Sequence, residues 1–357
     1  MDVLKQTAST IKKHRMLTGG EKVLIALSGG PDSSCLASVL TELSRELDLT
    51  LFAHYVDHGL RPEETPAEIE QCAALCKSLG IEFTHSIVNV DELVKNQGIN
   101  KQEAARELRY KALEEAASAC GAKRTALGHT LDDQAETFLM RVIRGSGPSG
   151  LSGIPPVRGA IIRPLIGSRK PDILEYLRAK GIGYAVDSSN LKGKYLRNRL
   201  RQNVLPALEE INPSIVDTLG RTTEILADEE RYFFIEVTKA LMRLITSKAD
   251  DHIELFLVPL ETLDNAIARR VLRRAIAETT SLRRLGYAHI EEILSLVRNG
   301  KPGDSIDLPL KVKVIKKSSP FLIPTAPPVH LETRTMDGPG VLEIKEAGMK
   351  LEAQITG

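Results

Sequence analysis

The segment from Val23 to Ser33 constrains this chain most. Val23 to Leu27 reads VLIAL, an unbroken apolar run that ends abruptly in Ser28-Gly29-Gly30-Pro31-Asp32-Ser33. Directly after it, Cys35, Leu36, Val39, Leu40 and Leu43 recur at helical spacing, which predicts a helix beginning near Ser33. A short apolar run without alternation is the pattern of a strand buried on both faces. Such strands sit in parallel sheets, where neighbouring strands must be joined by crossovers, usually helices.

The next hundred residues supply those crossovers. Leu51 to Val56, Glu82 to Val90 and Arg124 to Leu127 read as further strands. Glu68 to Leu79, Lys101 to Cys120 and Leu131 to Arg144 read as helices between and after them. The expectation is an α/β fold, a parallel Rossmann-like sheet with helices on both faces. Gly145 to Pro156 is Gly/Ser/Pro-rich and reads as a flexible lid or a plain connector. Beyond Ile211-Asn212-Pro213, Ser214 to Ser247 and Leu260 to Arg298 have helical periodicity with few strand signals. After Gly303 the chain turns β-like, then Pro-rich, and a last strand-like segment covers Met349 to Ile355. The expected domains are therefore 1–213, an α/β domain; 214–300, a helical domain; and 301–357, a β-like segment. At 357 residues the chain is long enough for each to have its own core.

Ligands of parallel sheets sit at the carboxyl ends of the strands, and two constellations fall there. In the first, Gly29 and Gly30 permit backbone angles closed to other residues and a close approach by an anion. Backbone N–H groups of the turn and of the following helix would point at a phosphate, with the hydroxyls of Ser28 and Ser33 beside them. Asp32 adds negative charge to such a cradle; capping the helix or holding a magnesium ion would account for it. The motif is neither a Walker A loop nor a G-x-G-x-x-G fingerprint. On its own it is a phosphate cradle or a capped strand-to-helix turn.

The second constellation is Gly128-His129-Thr130-Leu131-Asp132-Asp133-Gln134-Ala135-Glu136-Thr137. Asp133 and Glu136, three apart, share one helical face, and two carboxylates near phosphates suit Mg²⁺. Acidic capping of a helix start is the other reading, and Asp132 fits it well. His129 is either structural or part of a site. Arg106 and Arg109 read as a solvated helix face or as phosphate ligands. His54, Asp57 and His58 flank a strand end where a base could stack, or a loop simply begins.

Net charge is +1, so nucleic-acid binding would need local basic patches. Two exist. Leu191 to Arg201 carries Lys192, Lys194, Arg197, Arg199 and Arg201 without an acidic residue. Arg269, Arg270, Arg273 and Arg274 line one side of a helix opposite Ile267, Val271, Leu272, Ala275 and Ile276. With no Trp and 4% aromatics, a large stacking platform for single strands is not expected. Cys35, Cys72, Cys76 and Cys120 are too few for a disulfide framework, and Cys72 and Cys76 miss the C-x-x-C spacing. The polar amino terminus lacks a signal-peptide core, and no apolar run approaches about 20 residues. A cytoplasmic protein without a membrane span is expected.

The loop Ser-Gly-Gly-x-Asp-Ser after the first strand resembles the pyrophosphatase loop of N-type ATP pyrophosphatases. The whole set resembles the tRNA(Ile)-lysidine synthase family: SGGPDS at 28–33, VDHGLRPE at 56–63, ARELRY at 105–110, GHTLDDQAET at 128–137, RVIRGSGPSGLSGI at 141–154, RPL at 163–165, DSSN at 187–190 and YLRNRLR at 195–201. The resemblance implies an enzyme that adenylates C2 of the wobble cytidine in the CAU anticodon of tRNA(Ile) and then joins free lysine, releasing AMP and pyrophosphate. It further implies that Ser28 to Ser33 hold pyrophosphate, that Asp133 and Glu136 hold Mg²⁺, and that Asp32, Arg109 and His129 act at the ATP phosphates or activated base. Arg199 and Arg201 would meet the reacting nucleotide, and the basic helix tRNA. Residues 1–213 would be catalytic and 214–300 would recognise tRNA. Many members carry a further small C-terminal domain, and this chain ends where one would start, as expected of a shorter form or a truncated chain. Whether it forms a homodimer stays open. The alternatives weighed are a tRNA thiolase of the same superfamily, an ammonia-using synthetase and a non-enzymatic RNA-binding protein.

Overall fold

Lys22–Leu27 forms the first strand, β1, and alternate residues of it enter two cores. Val23, Ile25 and Leu27 join one buried cluster, while Leu24 and Ala26 join another on the opposite face. The unbroken apolar run thus reflects burial on both sides. The computed structural model describes residues 2–59, 63–185, 196–249, 252–279, 285–309, 312–318, 320–324, 340–344 and 349–353.

Around β1 lie α1 (Val3–Lys13), α2 (Pro31–Ser44), β2 (Thr50–Asp57), α3 (Thr65–Leu79), β3 (Glu82–Ile87), α4 (Val90–Gln97), α5 (Lys101–Cys120) and β4 (Arg124–Ala126). Then come α6 (Leu131–Ile143), α7 (Pro148–Leu151), β5 (Val157–Arg158), β6 (Ile161–Ile162), α8 (Lys170–Lys180), α9 (Leu196–Arg199), a π-helical turn at Leu200–Val204, and α10 (Leu205–Ile211). The strands form one sheet in the order β3-β2-β1-β4-β6-β5. All pairs are parallel except the β5–β6 edge. The third predicted strand is shorter than its apolar pattern suggested. It stops at Ile87 because Asn89 caps α4, accepting from Glu92 N–H at 3.1 Å. Lys101–Cys120 matches its prediction, since Asn100 caps its start and Gly121 ends it in the left-handed region.

The order of strands sets where a ligand can sit. The chain leaves β1 toward β2 on one side and returns to β4 on the other, so the crevice above β1 and β4 is the switch point of the sheet. The Ser28–Ser33 loop follows β1, and Gly128–Asp133 follows β4. Both constellations therefore converge on one crevice. Their backbones touch: a Cβ placed on Gly128 would lie 3.1 Å from the Asp32 carbonyl group and from Ser33 N.

The chain divides into two compact units, Met1–Glu230 and Arg231–Gly357, with the boundary inside α11 (Ile215–Leu244) and not at residue 213. The second unit contains β7 (Ile245–Lys248), β8 (His252–Phe256), α12 (Leu257–Glu261), α13 (Asn265–Thr279), α14 (Tyr287–Asn299) and β9 (Ser305–Asp307). It continues with β10 (Lys313–Lys316), β11 (Pro320–Pro324), β12 (Gly340–Ile344) and β13 (Met349–Ala353). A five-stranded antiparallel sheet runs β7-β8-β11-β10-β9, and β12 pairs with β13. The region expected to form a helical domain, 214–300, thus includes two strands, β7 and β8, and β8 pairs directly with β11. Ile253, Leu255, Val314, Phe321 and Ile323 of the sheet share a core with Val271, Leu272, Ile276, Ile293 and Val297 of the helices. Strands β7 and β8, helices α12 to α14 and strands β9 to β11 are accordingly interleaved in one unit.

A methyl group at position 128 would force apart two backbones that carry the site. Gly128→Ala is expected to lower stability by about 1–3 kcal/mol, the usual cost of overpacking, read as a lower urea midpoint at unchanged slope. An unchanged midpoint would contradict the close approach.

Candidate active site at the β1/β4 crevice

Gly29 takes φ +74°, a left-handed turn that an L side chain rarely adopts. Gly30 then caps α2 in extended geometry and Pro31 occupies the first helical position, which its fixed φ suits. Ser33 Oγ donates to Gly30 O at 3.0 Å and accepts from Ser28 N–H at 3.1 Å, closing the loop on itself. The Gly29 carbonyl accepts from Ala185 N–H at 2.8 Å, and Gly29 packs against Glu68 and Cys72. The result is a rigid turn at the N-terminus of a 14-residue helix, the geometry that binds anions.

Opposite it, α6 opens with a capping box. Thr130 N–H donates to Asp133 Oδ2 at 2.8 Å and Asp133 N–H donates to Thr130 Oγ1 at 3.3 Å. The capping role expected for Asp132 therefore falls to Asp133. Asp132 instead accepts from Lys170 N–H at 2.7 Å and faces Arg169 at 3.8 Å. Asp133 and Glu136 do share a face. Arg197 bonds both, with Nη2 to Asp133 Oδ1 at 2.5 Å and Nε to Glu136 Oε2 at 2.6 Å. Arg201 Nε bonds the other Glu136 oxygen at 2.5 Å. Glu136 is only 1% exposed, so its charge depends on these two guanidiniums. Arg197, expected on RNA, thus belongs to the carboxylate cluster. Arg199, expected beside the reacting nucleotide, is exposed and outside the cluster. Arg197 and Arg201 are four apart across α9 and the π-helical turn, which brings both to Glu136.

The donor set fits Mg²⁺ in kind: hard carboxylate oxygens on one helical face across from the loop. Among the described residues no group of three His, Cys, Asp or Glu forms a metal cage, and a magnesium ion that keeps several waters does not need one. Both arginines are long and partly exposed, 40% and 46%.

His129 follows β4 and receives a hydrogen bond from Arg163, Nε to Nδ1 at 3.2 Å. Arg163, fully buried, is fixed through Nη1 to Pro155 O at 2.7 Å. An imidazole nitrogen that accepts from a guanidinium carries no proton, so the neutral ring holds its proton on Nε2. Burial drives the His129 pKa down to about 4; Asp133 opposes this, and Arg163, Arg109 and Arg197 reinforce it. Arg109 on α5 is half-buried, with burial lowering its own pKa, and its charge is felt at His129. Arg106 is exposed and lies over the Tyr110 ring at 5.4 Å. Asp32 is pushed up by burial while Lys170 Nζ, 2.5 Å from Oδ1, opposes the shift.

The Gly/Ser/Pro segment, expected as a flexible lid or a plain connector, is tied to α6 by hydrogen bonds. Gln134 brackets Ile154, accepting from its N–H at 2.7 Å and donating to its carbonyl at 2.8 Å. Arg141 Nη1 donates to Gly150 O and to Gly153 O, the latter at 2.9 Å, and α7 forms within the segment. His54 does not face a base at a strand end: it is buried, bonded to Thr84 Oγ1 at 2.8 Å and Ser86 Oγ at 2.9 Å. Asp57 Oδ1 accepts from Gly59 N–H at 2.8 Å, an ordinary turn. Gly128 and Arg163 stand in the quoted motifs without an assigned role, and Lys170 stands in none of them. Only the Thr130-x-x-Asp133 spacing, a capping-box signature, was open to direct reading.

In the second unit, buried Ala268, Val271, Leu272, Ala275 and Ile276 confirm the amphipathic helix α13. Its arginines are not equivalent. Arg269 is bidentate to Glu291, at 2.6 and 3.0 Å. Arg270 lies over Phe233 at 4.0 Å and Arg274 over Phe234 at 4.5 Å, whereas Arg273 is exposed. Lys192 and Lys194 lie outside the described residues.

The neutral His129 has a pH signature. The unfolded imidazole takes its proton near the ordinary 6.5, the folded one only near 4. Stability from the neutral ring is therefore complete above pH 6.5 and lost as pH falls toward 4. NMR of the ring carbons should show no titration of His129 between about pH 8 and pH 5, and His129→Gln should flatten the acid limb of the urea midpoint. A transition near the ordinary histidine value would contradict the burial described.

The PP-loop domain family matches residues 3–208, and the TilS substrate binding domain matches 255–315. A tRNA(Ile)-lysidine synthase from Clostridioides difficile is 31% identical over 99% of this chain and 78% of its own length. One from Symbiobacterium thermophilum is 36% identical over 88% of this chain and 67% of its own. Among solved structures, the U34-tRNA thiolase NcsA from Methanococcus maripaludis shares the fold, with TM-score 0.54 and 24% identity over 63% of this chain and 80% of that one. The PP-loop family alone accounts for more than half of the chain, and the named relatives run through both units. This chain belongs to the tRNA(Ile)-lysidine synthase family, built on a PP-loop ATP pyrophosphatase domain.

Proposed function

We propose that this chain is a ligase that uses ATP to join free lysine to C2 of the wobble cytidine in the CAU anticodon of tRNA(Ile), so that the tRNA reads AUA in place of AUG. The observation that carries this reading is coverage: relatives named tRNA(Ile)-lysidine synthase align across the PP-loop half and the second unit alike. The crevice geometry supports it.

The reaction asks for two substitutions. The cytidine C2 carbonyl oxygen attacks the α-phosphorus of ATP, and the bond to the β-phosphate breaks with its electron pair on pyrophosphate. The lysine side-chain amine then attacks C2, and AMP departs, a far better leaving group than oxide. The Ser28–Ser33 loop would hold the pyrophosphate portion through N–H groups at the start of α2. Asp133 and Glu136 would hold Mg²⁺, which when bound offsets phosphate charge. For this, Arg197 and Arg201 must leave the carboxylates, and phosphate oxygens are their natural new partners. His129, neutral with its proton on Nε2, is suited to donate to a phosphate or to the activated carbonyl. Arg109 adds positive charge at the same place.

For tRNA contact, the exposed Arg273 and Arg199 are better placed than Arg269, which Glu291 already satisfies. Arg270 and Arg274, stacked on Phe233 and Phe234, form an arginine–aromatic surface of the kind that accepts unstacked bases. Tyr232 and Phe234, 62% and 60% exposed, extend it. The free thiols agree with a cytoplasmic setting, and no helix among the described residues is long and apolar enough to cross a membrane.

Sulfur delivery, the alternative, needs a reactive thiolate. Burial pushes Cys35 and Cys76 up to about 12 and Cys72 up to about 11, so the three thiols nearest the loop stay protonated. In the native protein these three should react with a thiol reagent only on unfolding, with Cys120 the faster; rapid labelling of Cys72 would revive the thiolase reading. The decisive assay combines ATP, lysine and a tRNA(Ile) transcript with CAU anticodon, followed by nucleoside mass analysis. Lysidine is expected, and unmodified cytidine at full ATP occupancy would refute the proposal.

A further inference from the structure

Asp32 sits at the second position of α2, in a loop proposed to take pyrophosphate, where its carboxylate alone would repel the ligand. The counter-charge comes from 138 residues away. Lys170, the first residue of α8, places Nζ 2.5 Å from Asp32 Oδ1. Its backbone is anchored as well: Lys170 N–H donates to Asp132 Oδ2 at 2.7 Å. The preceding Arg169 binds Glu209 at 2.8 Å and Asp217 at 3.0 Å. The start of α8 is thereby fixed to the first turn of α6 while its ammonium reaches the first turn of α2.

An ammonium has three N–H donors. Asp32 takes one, and among the described residues no second acceptor partners Nζ. The side chain is 33% exposed, so its other donors are open to a ligand. Arg197 and Arg201, by contrast, are each engaged by a carboxylate pair.

We propose that Lys170 is the leaving-group cation of this site: Asp32 holds its ammonium at the mouth of the loop, and the ammonium contacts the pyrophosphate portion of ATP. The inference rests on cleavage between the α and β phosphates. In that step the electron pair of the breaking P–O bond stays on pyrophosphate, whose charge rises, and no proton leaves Lys170. An ammonium already fixed there stabilises that charge without reorganising. Asp32 then acts as a positioning residue for Lys170.

The test is binding of inorganic pyrophosphate with Mg²⁺ to the full chain by calorimetry, with AMP as the control ligand. Lys170→Met should weaken pyrophosphate binding by about tenfold or more while AMP changes less than about twofold, the scale of one lost charged hydrogen bond. Lys170→Arg should recover most of the loss. If Lys170→Met does not fold, Lys170→Gln, which keeps a bond to Asp32, carries the same expectation. Unchanged pyrophosphate affinity, or equal losses for pyrophosphate and AMP, would overturn the assignment. Wild-type turnover is measured in parallel: ADP in place of AMP would refute the underlying cleavage reading, whatever the Lys170 variants do.

Discussion

The contact between the Gly128 backbone and the backbone of Asp32 and Ser33 is the constraint on which the site depends. It brings the first turns of α2 and α6 together above adjacent parallel strands, so that two helix N-termini face one crevice. Each N-terminus carries partial positive charge. Everything else in the crevice balances or exploits that field.

The balance is specific. Three carboxylates, Asp32, Asp133 and Glu136, are matched by Lys170, Arg197 and Arg201. Burying Glu136 unpaired would be costly, so the guanidiniums are needed for the fold. In the proposed reaction, a nucleotide with magnesium would offer the same groups an exchange: metal for carboxylates, phosphates for cations. The charges of the site are paired in advance, and on that proposal binding would redistribute existing pairs.

Local features of the fold were legible in the sequence. The VLIAL run announced a strand buried on both faces, and the helix read over Lys101 to Cys120 is α5. The loop at Ser28 to Ser33 stood out because strand, glycines and helix follow each other directly. Features that depend on distant pairing were not legible. Lys170 looked like one cation among many until α8 was packed against α2. Arg197 lay in a basic run that read as RNA-facing, and only the geometry of α9 turned it toward Glu136. β7 and β8 were hidden because their alternation is short, lies between long helices, and is completed by strands some 60 residues later.

In the proposed reaction this crevice splits ATP between its α and β phosphates and passes AMP to a tRNA base. It is tested most directly with ATP labelled on the α-phosphate and a tRNA(Ile) transcript, first without lysine and then with it. Label bound to the tRNA is expected in the absence of lysine, with release as AMP when lysine is added. Label appearing in ADP, or as free AMP with none on tRNA at any time, would contradict it.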